Sequence, residues 1–176
     1  EESINLDGYL WNKKPLVIEL NENTFYLKDD NNCFYTTIMF ENKRITGQII
    51  VQKNGEIFGS NNNNFSYSFT DLADATIVLY AKNNIMDING QIIFKKNELV
   101  SQGKTNNKGR ITFDKLYLGD YYLQEIATPE AYELDKTKYN VSLKSDNKKT
   151  VVEAKITINN YLKKGNVTIT KVSSLT

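Results

Sequence analysis

From residue 46 onward, apolar and polar side chains alternate in short runs, each closed by glycine, asparagine or lysine. "ITGQIIVQK", "ATIVLYA", "QIIFKK", "GRITFDKL", "YNVSLK" and "VVEAKITINN" are rich in β-branched and aromatic residues and largely follow the two-residue period of a strand. Turn signals separate them at Asn54-Gly55, Asn89-Gly90 and Lys108-Gly109. No stretch carries the apolar stripe of a helix. Many short strands with such turns predict an all-β fold, an immunoglobulin-like Greek-key β-sandwich. The asparagine tract 61–64, ahead of "FSYSFTDLADA", reads as a surface loop, and 54–70 as the loop a binding module would use.

The alternation creates a problem in "GDYYLQEIATPEAYELD". Gly119, Tyr121, Leu123 and Glu125 share one strand face, so the face that should be buried ends in a carboxylate. Left unpaired in the core, such a group costs several kcal/mol, so it needs partners. The same period aims Ile49, Val51 and Lys53 inward from the first strand, and Ile156, Ile158 and Asn160 inward from the last. A lysine, a carboxylate and a carboxamide are thus directed at one apolar core, the constellation for an amide bond between side chains. A satisfied polar cluster is the plainer alternative, and Asn159 competes with Asn160 for the amide position.

Composition narrows the chemistry. With 176 residues, 40% hydrophobic, 24% charged and a net charge of +1, the chain can bury one good core and part of a second. Its lysines are scattered, so no basic face argues for nucleic acid. No apolar run is long enough to span a bilayer, and neither a signal peptide nor an anchor is visible; an exported protein would have this chain as a piece of something longer. The absence of histidine and the single Cys33 remove Ser-His and Cys-His nucleophiles, disulfide frameworks and zinc sites. Cys33, in "KDDNNCFYTT", reads as a small strand residue, and Asp29 and Asp30 as a solvated turn without calcium-loop spacing. No metal and no cofactor are expected.

An internal repeat organises the chain. "YTTIMFENKRITGQIIVQK" (35–53) lies on "EAKITINNYLKKGNVTITK" (153–171) without a gap, which puts Asn42 on Asn160, Gly47 on Gly165 and Lys53 on Lys171. Upstream, "EESINLDGYLWNKKPLVIEL" (1–20) lies on "QEIATPEAYELDKTKYNVSL" (124–143), with Glu2 on Glu125 and Tyr9 on Tyr132. Residues 46–164 are therefore expected to form one complete domain. Residues 1–45 then supply the closing strands of a preceding repeat and 165–176 the first strand of a following one, with Glu2, Asn42 and Lys171 as partial-repeat equivalents of the trio.

The "TGQIIVQK" opening with Lys53, "LADATIVLYAK" at 72–82, "KTNNKGRITFDKLYLGDYYLQEIATPEAY" at 104–132 and the closing "ITINNYLKKG" with Asn160 together resemble the collagen-adhesin B-type domain, the Cna B or SpaA-like prealbumin-like module of Gram-positive surface adhesins and pilins. Ala131 departs from the family pattern, which usually has glycine before the tyrosine. The resemblance implies a self-formed isopeptide bond between Lys53 and Asn160, with Glu125 as its catalytic proton shuttle. Residue chemistry agrees: burial favours the neutral amine and the neutral acid, and groups held at contact in a dry core need no external enzyme. It also implies a structural stalk or pilus-like unit that is extracellular, anchored to the cell wall or part of a surface fibre, and in contact with neighbouring repeats. Alternatives are a module that binds host matrix protein or glycan, a filament subunit linked head-to-tail to other copies through Lys171, Asn42 and Glu2, and a hydrolytic enzyme. The last is opposed by the missing histidine and by the lack of an exposed acid pair.

Overall fold

The computed structural model describes residues 8–10, 17, 27–28, 34–35, 42–61, 64–145 and 148–172. Among them every regular element is a strand. Four short ones come first: β1 (Tyr9–Leu10), β2 (Leu27–Lys28), β3 (Phe34–Tyr35) and β4 (Lys43–Arg44). The long strand β5 (Thr46–Asn61) follows, then β6 (Asn64–Asp71), β7 (Thr76–Ala81), β8 (Ile85–Met86), β9 (Ile92–Phe94) and β10 (Leu99–Lys104). β11 (Arg110–Leu116), β12 (Gly119–Ala127), β13 (Tyr139–Leu143) and β14 (Val151–Asn160) complete the order.

Two four-stranded sheets face each other. One has the order β10-β7-β12-β13; the other has β11-β5-β14, with β6 also paired to β5. Between them lies a single core to which both contribute: Ile49, Val51 and Ile158 from one sheet, Ile77, Leu79, Tyr121 and Leu123 from the other. Strict alternation along β5 and β12 builds this core, because every second side chain points into it. Turns close where sequence reading places them at Gly90 (φ 76°) and Gly109 (φ 63°), the left-handed backbone that glycine tolerates without strain.

β5 and β14, first and last of this unit, run parallel, in register from Thr46 beside Val151 to Gly55 beside Asn160. The chain therefore comes into the sandwich at one pole and leaves it at the other. On its opposite edge β5 pairs first with β11 and then with β6. The changeover falls at Lys53, whose N–H donates to Gly109 O (2.6 Å) and whose carbonyl accepts from Leu72 N (2.9 Å).

The stretch 54–70 differs from its expectation as a loop. β5 continues through it to Asn61, and Asn54 to Asn61 pair with Asp71 to Asn64 in an unbroken antiparallel register. Asn54-Gly55 is not a turn but the middle of a strand. Glycine is needed there for close approach: a Cβ on Gly55 would lie 2.7 Å from the Tyr132 ring. Asn61 and Asn64 are facing strand ends of a two-stranded ribbon.

Near the N-terminus β1 pairs with β4 and β2 with β3. Ile45 is buried and donates its N–H to Gly8 O (2.7 Å). Glu2, Asp29, Asp30 and Cys33 lie outside the described residues.

Candidate functional site

Three elements deliver three polar side chains to the same end of the core. Lys53 comes from β5 and Asn160 from β14, on one sheet; Glu125 reaches them from β12 of the other. Their exposures are 0%, 1% and 2%, as low as those of the aliphatic residues around them. Lys53 Nζ lies 2.5 Å from Asn160 Oδ1 and 3.1 Å from Glu125 Oε1. Asn160 Nδ2 donates to Glu125 at 3.0 Å (Oε1) and 2.9 Å (Oε2). The amine is thus held against the carbonyl side of the carboxamide while the carboxylate touches both the amine and the amide nitrogen. Asn159, the competing amide, points the other way: its Oδ1 accepts from Asn54 Nδ2 (3.1 Å) on the exposed face.

Burial pushes the Lys53 ammonium below the usual lysine pKa, partly offset by the charge and hydrogen bond of Glu125 and by the charge of Asp135. Below the trio the turn 129–137 folds back. Asp135 N donates to Glu125 Oε2 (2.9 Å), occupying one carboxylate lone pair. Partial burial pushes the Asp135 carboxyl up, but hydrogen bonds from Thr137 and Tyr139 hold it below the usual range. Tyr139, whose hydroxyl donates to Asp135 Oδ2 (2.6 Å), is pushed up to about 12 by burial and by that bond. A cleft of about 430 Å³ opens here, lined among others by Asp135, Thr137, Tyr139 and Asn160.

Three contributors carry no period in the sequence. Thr128, just past the end of β12, accepts a hydrogen bond from Asn160 Nδ2 at 2.6 Å. Tyr132 covers the core end by lying against Gly55. Glu56, a buried carboxylate on the opposite face of β5 from Lys53, accepts from Leu162 N (3.1 Å) and pairs with Lys164 at 3.0 Å. It fastens the outgoing chain, which also binds the turn through Lys163 N to Ala131 O and Glu133 N to Tyr161 O, both 2.9 Å. A serine or alanine at 128 would have looked no different from the threonine to a reading based on alternation. Glu56 follows Gln52 and Asn54 on the outward row of β5, so alternation gave no sign that it would be buried.

Of the partial-repeat equivalents, the two described ones, Asn42 and Lys171, are not gathered into this site. Asn42 is half-buried next to β4, and Lys171 is exposed on a segment without regular structure.

Residues 66–160 match the SpaA family, described as a prealbumin-like fold domain. Among solved structures, the minor pilin GBS52 of Streptococcus agalactiae is similar at 24% identity and a TM-score of 0.45, over 76% of this chain and 51% of that one. The major pilin SpaA of Corynebacterium diphtheriae is similar at 20% identity and a TM-score of 0.47, over 68% of this chain and 31% of that one. BcpA, the major pilin subunit of Bacillus cereus, is similar at 25% identity and a TM-score of 0.38, over 65% and 28%. This chain spans about half or less of the length of each. A comparison with curated proteins gives no match.

Proposed function

Because the chain belongs to the SpaA prealbumin-like fold domain family, we propose that residues 46–164 form a structural shaft or stalk unit of a Gram-positive cell-surface fibre, closed by a self-formed isopeptide bond between Lys53 and Asn160. One observation supports this above all: a buried amine, carboxamide and carboxylate in mutual contact at 2.5–3.1 Å, on three different strands. A polar cluster serving stability alone would do as well with an aliphatic replacement, since buried ion pairs seldom out-stabilise good packing.

The reaction balances within the trio. Glu125 takes a proton from the Lys53 ammonium, and the free Nζ attacks Cγ of Asn160 to form a C–N bond. Nζ in the tetrahedral intermediate then carries one proton too many: Glu125 gives its proton to Nδ2, which it already touches, takes the surplus one from Nζ and ends as the neutral acid. The Cγ–Nδ2 bond breaks, ammonia leaves by the cleft beside Asp135 and Tyr139, and an amide remains. Thr128 holds the departing nitrogen through its hydroxyl oxygen. The encounter entropy of the three groups is spent in folding, so the unit performs one turnover without a separate enzyme.

Parallel pairing of β5 with β14 gives the bond its mechanical use. Tension arriving at Thr46 passes along β5 to Lys53, crosses to Asn160 and leaves, so that the intervening strands are not loaded. The bond closes a loop of 107 residue steps, and by analogy with a disulfide that closure stabilises by about 4.7 kcal/mol. Residues 1–45 and 165–176 are proposed as parts of adjoining repeats in the fibre.

Tryptic peptide mapping tests this directly. A branched peptide joining Lys53 to Asn160 is the expected product; a branch at Asn159, or linear peptides only, overturns the proposed bond.

A further inference from the structure

Residues 65–69 read Phe-Ser-Tyr-Ser-Phe, the same in both directions. They form the centre of β6, which among the described residues pairs with β5 alone and so leaves one edge free. Sheet edges are normally blunted by lysine, proline or a bulge. This edge has none of them: no charged residue and no proline occurs between Glu56 and Asp71, and the register with β5 is unbroken. The ribbon also shows large apolar side chains to solvent. Phe65 is 72% exposed, Tyr67 53% and Phe58 52%, and the Phe58 ring packs on those of Phe65 (5.5 Å) and Tyr67 (5.4 Å) in one aromatic row.

We propose that β6 is a self-recognition edge, through which two copies of this chain pair antiparallel about a two-fold axis at Tyr67. The palindrome decides the occupant. With Tyr67 on the axis, it faces the second copy's Tyr67, Phe65 faces Phe69, and Ser66 faces Ser68, so rings meet rings on one face and hydroxyls meet hydroxyls on the other. Facing Cβ atoms in such a pair are about 4.5–5.5 Å apart, close enough for aromatic contact and for hydroxyl hydrogen bonds. An uncharged strand meets no repulsion from its own copy and offers nothing to a charged partner. Lys164, which lies 4.2 Å from the Tyr67 ring centre, is already neutralised by Glu56. The contact is isologous and closes as a dimer. Repeated along a fibre, it would join fibres side by side, many weak contacts acting together. The inference stands apart from the isopeptide reading, since it involves none of the trio.

Charge at the axis provides the test. Sedimentation equilibrium of the 176-residue chain between about 10 µM and 1 mM should show the mass rising from 20.2 kDa toward twice that value. Tyr67→Lys and Tyr67→Glu should each stay monomeric, because like charges then face each other, and an equimolar mixture of the two should recover the dimer. An unchanged melting temperature for each variant at low concentration shows that the fold is kept. A wild-type chain that stays monomeric throughout, a lysine variant that dimerises as well as wild type, or a mixture no better than its components overturns the proposal. So does a monomer that retains an oligosaccharide on the ribbon instead.

Discussion

The two halves of β5 invert the usual rule in opposite ways. Up to Lys53 the strand buries a charged side chain in an apolar core; from Ile57 it holds aliphatic and aromatic side chains out in water. Backbone and period are continuous across the boundary, so secondary structure does not explain the difference. What changes is the covering. β14 and the opposite sheet enclose the first half, whereas β14 ends beside Gly55 and the remainder projects as a two-stranded ribbon. Buried polar groups and exposed apolar patches are the two surface anomalies most often tied to function. Here one strand carries both: the first is satisfied within the chain, and the second awaits a partner from outside.

The comparison breaks if the two halves contribute alike to stability. Lys53→Ala removes the covalent closure and leaves Glu125 buried without its cation, so its melting temperature should fall by about 10–20 °C and its trypsin lifetime should shorten steeply. Tyr67→Ser, at the exposed half, should shift the melting temperature at micromolar concentration by no more than about 2 °C. Equal losses in a thermal scan would mean that the ribbon is part of the core and the trio is not special.

The chemistry of the buried half has its own signature in pH. Chain recovered unfolded from inclusion bodies is unlinked, and refolding it at set pH makes ammonia release measurable. The proton that Glu125 takes from Lys53 is the one it gives to Nδ2, so the reactive trio must carry it. Because burial lowers the Lys53 pKa, that proton is lost to solvent before the ordinary lysine value of 10.5 is reached; the rate should be level with pH below that loss and fall about tenfold per pH unit above it. A rate that keeps rising through this range would remove the Glu125 proton shuttle from the mechanism. Refolded Thr128→Val should link about tenfold more slowly than wild type, the worth of one hydrogen bond to the leaving nitrogen, and Thr128→Ser should restore the rate. Slow linking in both variants would make Thr128 a packing residue only. A smaller effect than that of Lys53→Ala is expected from Glu56→Gln, which weakens the hold on residues 162–164 outside the core: a fall of about 2–4 °C in melting temperature with the linked mass unchanged.

Strand period made the first half of β5 legible. Lys53, Glu125 and Asn160 fall on inward positions because their strands are regular, and the same regularity gave the all-β fold. The ribbon was missed for a local reason. Asn-Gly is the strongest short turn signal, yet Gly55 is there to admit the Tyr132 ring, a contact between segments far apart in sequence. Thr128 and Tyr132 were hidden because they sit beyond a strand end, where no period constrains them. The palindrome in β6 was in plain view, but it acquires meaning only once β6 is known to be an edge.

Intact mass of the purified chain, measured beside that of Glu125→Ala, tests the central claim most directly. Wild type should be lighter than its sequence by one ammonia, while Glu125→Ala, folded but without its proton shuttle, should keep the full mass. A wild-type chain at full mass would contradict the account and leave the trio a satisfied polar cluster.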